Sequence, residues 1–159
     1  MGILGYYNQI EDLLLSQIIN GEYDILDFDS KQYQTLDIDK SWQAIHYLLC
    51  KNIENGLPPM GYVVPMRNEN KLDCELDYGA FYITAQQVKE ASDFLNSLDD
   101  TALKSMYDFK SMQENEVYPL YKNEEDPGFY EYLYFHLTEL RKYFHQTAEK
   151  GYAIIFYIS

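Results

Sequence analysis

A chain of 159 residues with 47% hydrophobic and 24% charged side chains has the length of one ordinary domain and enough apolar material for a core without staples. Lys and Arg number 12 against 26 Asp and Glu, a formal net charge of -14. The basic side chains are scattered singly from Lys31 to Lys150, which excludes nucleic acid and anionic membrane as partners and leaves a basic protein as the macromolecular partner to expect.

No apolar run approaches the roughly 20 residues of a membrane span, and Met1-Gly2 opens without a basic leader or cleavage site, so the expected compartment is the cytoplasm. Cys50 and Cys74 are isolated, with no CxxC, and signal neither a disulfide framework nor a zinc site. No motif calls for a metal or a cofactor, and none bears on the oligomeric state.

In chain order, Met1 to Tyr7 reads as a short strand ended by Gly5, after which Ile10, Leu13, Leu14 and Ile18 recur at helical spacing up to Gly21. Glu22 to Gln34 is acidic and irregular. Trp42, Ile45 and Leu49 then fall at i, i+3 and i+7, predicting a helix over about Lys40 to Asn52 with Asp37 or Asp39 as its N-cap. Between Asn55 and Lys71 the punctuation by Gly56, Pro58, Pro59, Gly61 and Pro65 marks a long surface loop with one short extended piece, Tyr62 to Val64.

Leu72 to Leu76 and Ala80 to Ile83 read as extended, and Thr84-x-x-Gln87 forms a capping box ahead of Val88, Ala91, Leu95 and Leu98. Asp99 or Asp100 caps a short helix carrying Leu103, Met106 and Tyr107. Val117-Tyr118-Pro119 ends that segment, and the acidic turn Glu124 to Gly128 precedes a longer helix. Leu133, Leu137, Leu140, Phe144 and Ala148 hold one stripe of it as far as Gly151. Tyr152 to Ile158 is almost wholly apolar and reads as an interior strand. Strands at both ends with helices between them predict a single α+β domain over residues 1–159. Its amphipathic helices pack on a small mixed or antiparallel sheet in which the two terminal strands are neighbours.

Chemistry concentrates in Leu36 to Leu49, which holds the only Trp, one of three His and two carboxylates. His46 follows Trp42 by four residues and lies beside the apolar face. It suits a base or ligand, and equally a structural imidazole bonded to a backbone carbonyl. Asp37 and Asp39 alternate, so that they could hold a cation or share a proton, or one of them could cap the helix. Trp42, at the centre of its stripe, is expected to be mainly structural. His136 and His145 are nine residues apart on the long helix and face different directions. Asp73, Glu75 and Asp77 alternate on one side of an extended segment, where like charges are ordinarily solvated. The 17 Tyr are many for this length and suit half-buried or contact positions.

The opening Met1-Gly2-Ile3-Leu4-Gly5-Tyr6, the block Leu36-Asp37-Ile38-Asp39-Lys40-x-Trp42 followed by His46, the Glu116-Val117-Tyr118-Pro119 element and the ending Gly151-Tyr152-Ala153-Ile154-Ile155 together resemble the YfbM-like family, a bacterial domain of unknown function. The resemblance runs across essentially the full chain in order. It implies a single α+β domain in a bacterial cytosol with no established activity. The chain departs from the family pattern at Cys50-Lys51, where Thr-Gly is usual, and at Ala80-Phe81, which replaces a polar pair.

Charge and tyrosine content point to a non-enzymatic protein of the immunity or antitoxin kind, whose acidic, Tyr-rich face docks on a basic partner. The alternative is a small-molecule-binding or hydrolytic enzyme. In that reading Asp37, Asp39, His46 and Tyr118 converge in a pocket beside Trp42, with Asp39 and His46 as the catalytic candidates. Asp39 and His46 in one open cleft would favour the enzyme, whereas a filled core under Trp42 and an exposed acidic patch would favour binding.

Overall fold

The apolar run near the carboxyl end becomes an interior strand of a four-stranded antiparallel sheet in the computed structural model, which describes residues 2–159 and, of these, every side chain but that of Ser30. The strands are β1 (Gly5–Ile10), β2 (Thr35–Asp37), β3 (Ala80–Ile83) and β4 (Ala153–Ile158), in the order β2-β1-β4-β3. The terminal strands pair along their whole length, with Gly5 opposite Ile158, Tyr7 opposite Phe156 and Ile10 opposite Ala153. Reciprocal bonds between Leu4 and Ser159, at 2.7 and 2.9 Å, extend the ladder by one pair beyond Gly5 and Ile158.

Side chains alternate between the two faces of a strand. Tyr7, Ile154, Phe156 and Ile158 therefore point to one side, where they join the main core. The helices over that face are α2 (Trp42–Cys50), α3 (Ala85–Ser97) and α6 (Phe129–Lys150), while α4 (Asp100–Met106) and α5 (Phe109–Glu114) link α3 to α6. Ile10, Ala80, Ala153 and Ile155 point to the other side, which α1 (Asp12–Ile19) covers with Leu15 and Ile18. The buried polar side chains Gln9 and Thr147 bond each other, Gln9 donating from Nε2 to Thr147 Oγ1 at 2.8 Å and accepting from Lys150 Nζ at 3.2 Å. Such pairing keeps their burial from costing stability.

Local signals place most of the helix ends. The capping box forms, with Thr84 accepting from the Gln87 amide and Gln87 from the Thr84 amide. Asp99 caps α4 through the Ala102 amide at 2.7 Å. Gly151 ends α6 at φ +68°, a left-handed conformation that costs glycine little. The stripe Leu133, Leu137, Leu140 and Phe144 is buried as read.

The structure corrects several expectations. The amino-terminal strand runs from Gly5 to Ile10, not from Met1 to Tyr7, and Met1 lies outside the described residues. Ile10 belongs to that strand, Leu13 faces solvent, and the buried face of α1 is set by Leu15 and Ile18. Tyr62 to Val64 is not extended: Met60–Tyr62 forms a 3-10 turn and Val63 is helical. The segment from Asn55 to Lys71 lies on the surface only in part, since Leu57, Pro58, Asn68 and Glu69 are exposed whereas Gly61 to Met66 are all buried. Leu72 to Leu76 makes no strand of its own and is tied to the sheet by a Lys71–Phe81 bridge and the Leu72 amide on Ala80.

Candidate functional site

The block Leu36 to Trp42 leaves the sheet at β2 and turns at once. Asp37 Oδ1 accepts the Asp39 amide at 2.7 Å, and Asp39 itself stands at φ +52°, a left-handed conformation that Asp and Asn tolerate better than other side chains. The 3-10 turn Asp39–Ser41 then feeds α2, whose own N-cap position, Ser41, makes no side-chain cap bond. Asp37 thus caps the turn and not the helix. The Asp39 carboxylate accepts the Tyr132 hydroxyl at 2.8 Å, and the same hydroxyl accepts the Lys40 amide at 3.1 Å. Burial, then the bond to Asp39, holds the Tyr132 phenol far above its ordinary range.

One turn further along α6, His136 meets the Tyr132 ring edge-on at 4.8 Å between centres. Its Nδ1 is buried without a hydrogen-bond partner among the described residues. Burial lowers its pKa, while the charges of Asp39 and Asp37 oppose that shift. The imidazole that senses the two aspartates is therefore His136.

His46 is engaged elsewhere. It is 1% exposed, its Nδ1 lies 2.9 Å from the Val64 carbonyl, and its Nε2 lies 3.1 Å from the Gly56 amide nitrogen. An amide can only donate, so Nε2 accepts and Nδ1 carries the hydrogen given to Val64. Both nitrogens are thereby spent on backbone, and burial lowers the pKa of the ring. Arg67 donates to the Gly56 carbonyl at 3.0 Å and closes the same strap from outside.

Trp42 and Tyr118 come together, stacked at 5.4 Å between ring centres. Trp42 is 8% exposed and gives its indole hydrogen to the Ile3 carbonyl at 2.9 Å, while the Tyr118 hydroxyl accepts the Ile3 amide at 2.8 Å. The pair clamps the chain just before β1. Of the five residues singled out from sequence, Asp37 and Asp39 form one group and Trp42 and Tyr118 another. His46 shares the bonds of neither. Among the described residues no three His, Cys, Asp or Glu side chains gather as metal ligands. Burial pushes the half-buried Cys50 thiol up to about 11.

A second aromatic group, made from side chains not singled out above, lies where α4 and α5 meet the start of α6. Tyr107 meets the Tyr130 ring at 5.1 Å, and Tyr134 lies 6.2 Å beyond. Tyr107 donates to Asp126 at 2.8 Å and Tyr134 to Asp100 at 3.1 Å. Exposed Glu131 adds to the charge that, after burial, raises both the Tyr107 and the Tyr130 phenol. The Lys104 ammonium stands 3.8 Å from the centre of the Tyr130 ring. The spacing of Tyr130 and Tyr134 along one helix face was the available sequence signal.

The family model described as "Domain of unknown function (DUF1877)" matches residues 1–157. The chain belongs to this family. Among relatives, Protein YfbM of Escherichia coli strain K12 is 26% identical over 132 residues, covering 75% of this chain and 74% of YfbM. The crystal structure of YfbM, a protein of unknown function from the same species, superposes with a TM-score of 0.74 at 21% identity over 98% of this chain and 99% of that one. The DUF1877 fold is thus common to both proteins.

Proposed function

We propose that this DUF1877 protein is a non-enzymatic binding module of the cytoplasm, of the immunity or antitoxin kind, which docks a basic protein on the face around Tyr107, Tyr130 and Tyr134. The observation that carries the reading is the seat of Lys104 over the Tyr130 ring beside Asp100, Asp126 and Glu131. A cation over an aromatic face gains electrostatic attraction, and half-buried Tyr are frequent interface anchors. The chain's own lysine occupies one such place, and the carboxylates around it exceed what one ammonium neutralises. The net charge of -14 acts in the same direction at long range.

The packing around the earlier candidates supports the same reading. Trp42 sits in a filled core, and His46 has no free nitrogen to offer a substrate. The test is affinity capture from the native cell with the wild-type chain and with a variant carrying Asp126→Lys and Glu131→Lys. A partner of basic sequence should be retained by the first and lost by the second. Equal retention by both removes the assignment.

A further inference from the structure

The second face of the sheet is only partly covered by α1. Beyond the helix a cavity of about 330 Å³ opens between two wall segments, Ile25 to Phe28 on one side and Leu76 to Tyr78 on the other. Its floor is Asn8 on β1 with Ile155 and Tyr157 on β4. That volume lies within the roughly 300–1,000 Å³ of small-molecule sites. The walls are mainly apolar, and each carries a large side chain left open to solvent: Leu26 is 57% and Tyr78 53% exposed. A single exposed Leu means little, but two such rims over one hollow leave apolar surface that a ligand would cover.

The polar groups of the cavity share one character. Among the described residues no Lys, Arg or His lines it, and the one charged side chain in its lining is Asp77. Asn8 is 1% exposed and spends its Nδ2 on Thr35 Oγ1 at 2.6 Å, which leaves its amide oxygen as an acceptor at the floor. Next to the floor, Tyr157 stacks on Tyr6 at 5.2 Å, and Asp37 lies directly across the ladder from Tyr6. One carboxylate, a carbonyl oxygen and three aromatic rings, those of Phe28, Tyr78 and Tyr157, therefore line a space with no compensating base, and the Asp37 carboxylate stands outside the lining across the ladder from Tyr6. An anion there would meet uncompensated negative charge, a neutral ligand would gain apolar contact alone, and a cation would gain both.

We propose that this cavity is a binding site for a small organic cation, an amine with an aromatic or branched aliphatic body. The body packs against Leu26, Phe28, Leu76 and Tyr78, and the ammonium is directed to Asp77. The site stands on the opposite side of the sheet from α6 and does not depend on the docking face.

The experiment titrates the full chain at low salt with phenethylamine and tryptamine, and with 3-phenylpropanoate as an anion of matching shape, following the methyl signals of Leu76 and Ile155. The two amines should saturate with shifts at both positions, and 3-phenylpropanoate should not. Asp77→Asn, an exposed substitution that leaves the fold intact, should weaken amine binding by about tenfold, the order expected for one charge-assisted contact. Glu131→Lys should leave it unchanged. Absence of saturation by either amine, equal binding of the acid, or full affinity in Asp77→Asn would each overturn the proposal.

Discussion

His46 donates from Nδ1 to the Val64 carbonyl across 2.9 Å and so pins, from the middle of α2, a buried loop eighteen residues further on. The Gly56 amide, donating to Nε2, fixes the other end of that loop, and the Tyr7 hydroxyl reaches the Val63 carbonyl at 2.7 Å from β1. A buried loop must find partners for its backbone, and here two side chains, His46 and Tyr7, satisfy three of its groups. His46→Leu leaves two of these groups without a partner at once. Each orphaned backbone group costs about 1–3 kcal/mol, so the urea midpoint should fall far more than for an ordinary surface substitution. An unchanged midpoint would mean that the loop does not need His46.

The same imidazole gives the fold a pH dependence. Burial lowers the pKa of His46, and that of the buried His136, below the ordinary value of 6.5. The unfolded chain therefore binds more protons than the folded one as pH falls through that value. Stability is fully present above about pH 6.5 and is lost as pH falls toward the folded pKa, by up to about 1.4 kcal/mol per pH unit for each group. Urea unfolding at pH 7.5 and pH 5.5 should show the loss, and His46→Leu should reduce it. A stability that rises on acidification over that interval would contradict the burial of both rings.

Close packing of the loop makes a third prediction. A Cβ built on Gly56 would lie 2.3 Å from Cys50 Sγ and 3.0 Å from His46 Nε2, and one on Gly61 would lie 2.0 Å from the Gly56 carbonyl oxygen. Gly56→Ala should cost about 1–3 kcal/mol through displacement of a filled interior. Gly21→Ala, at φ +77° with open space around it, meets only the backbone penalty. Thermal unfolding of the two variants should rank them in that order.

What the sequence disclosed follows the range of the interactions. Thr84 and Gln87 cap each other three residues apart, and the Leu133 to Phe144 stripe repeats within one helix, so both were legible. Pairing of the end strands followed from two apolar runs that each needed a neighbour. Ile10 fits a strand of period two and a helix of period 3.6 alike, and only its place opposite Ala153 decides. Gly and Pro in 55–71 mark irregular backbone, and the burial of its middle, Gly61 to Met66, is hidden from the sequence because the partners there, Tyr7 and His46, come from β1 and α2. The neighbours of Asp39 were hidden for the same reason, since Tyr132 lies 93 residues away.

Trp42 closes the core beneath the first segment of the chain. It stacks on Tyr118 and carries the Ile3 carbonyl on its indole nitrogen. Trp42→Ala should cost about 3–5 kcal/mol, enough to unfold a marginal domain. Trp42→Phe keeps much of the packing and loses mainly the hydrogen bond, about 1 kcal/mol. A melting temperature for the alanine variant within a few degrees of wild type would show that the ring is not part of the core.

The last prediction separates docking from catalysis. Attraction between exposed charges is screened over about 8 Å at physiological ionic strength, so binding of the captured basic partner should weaken steeply as salt rises. Asp126 and Glu131 are exposed, and their reversal to Lys should slow association while leaving the unfolding midpoint nearly unchanged. Asp39→Asn keeps an oxygen for the Tyr132 hydroxyl and a residue type that tolerates φ +52°, so it should leave both fold and partner affinity intact. A reaction that depended on the Asp39 carboxylate would instead be lost in that variant. Binding that ignores salt and the two reversals, together with an activity abolished by Asp39→Asn, would transfer the function from the tyrosine face to the turn where Asp37 and Asp39 meet Tyr132 and His136.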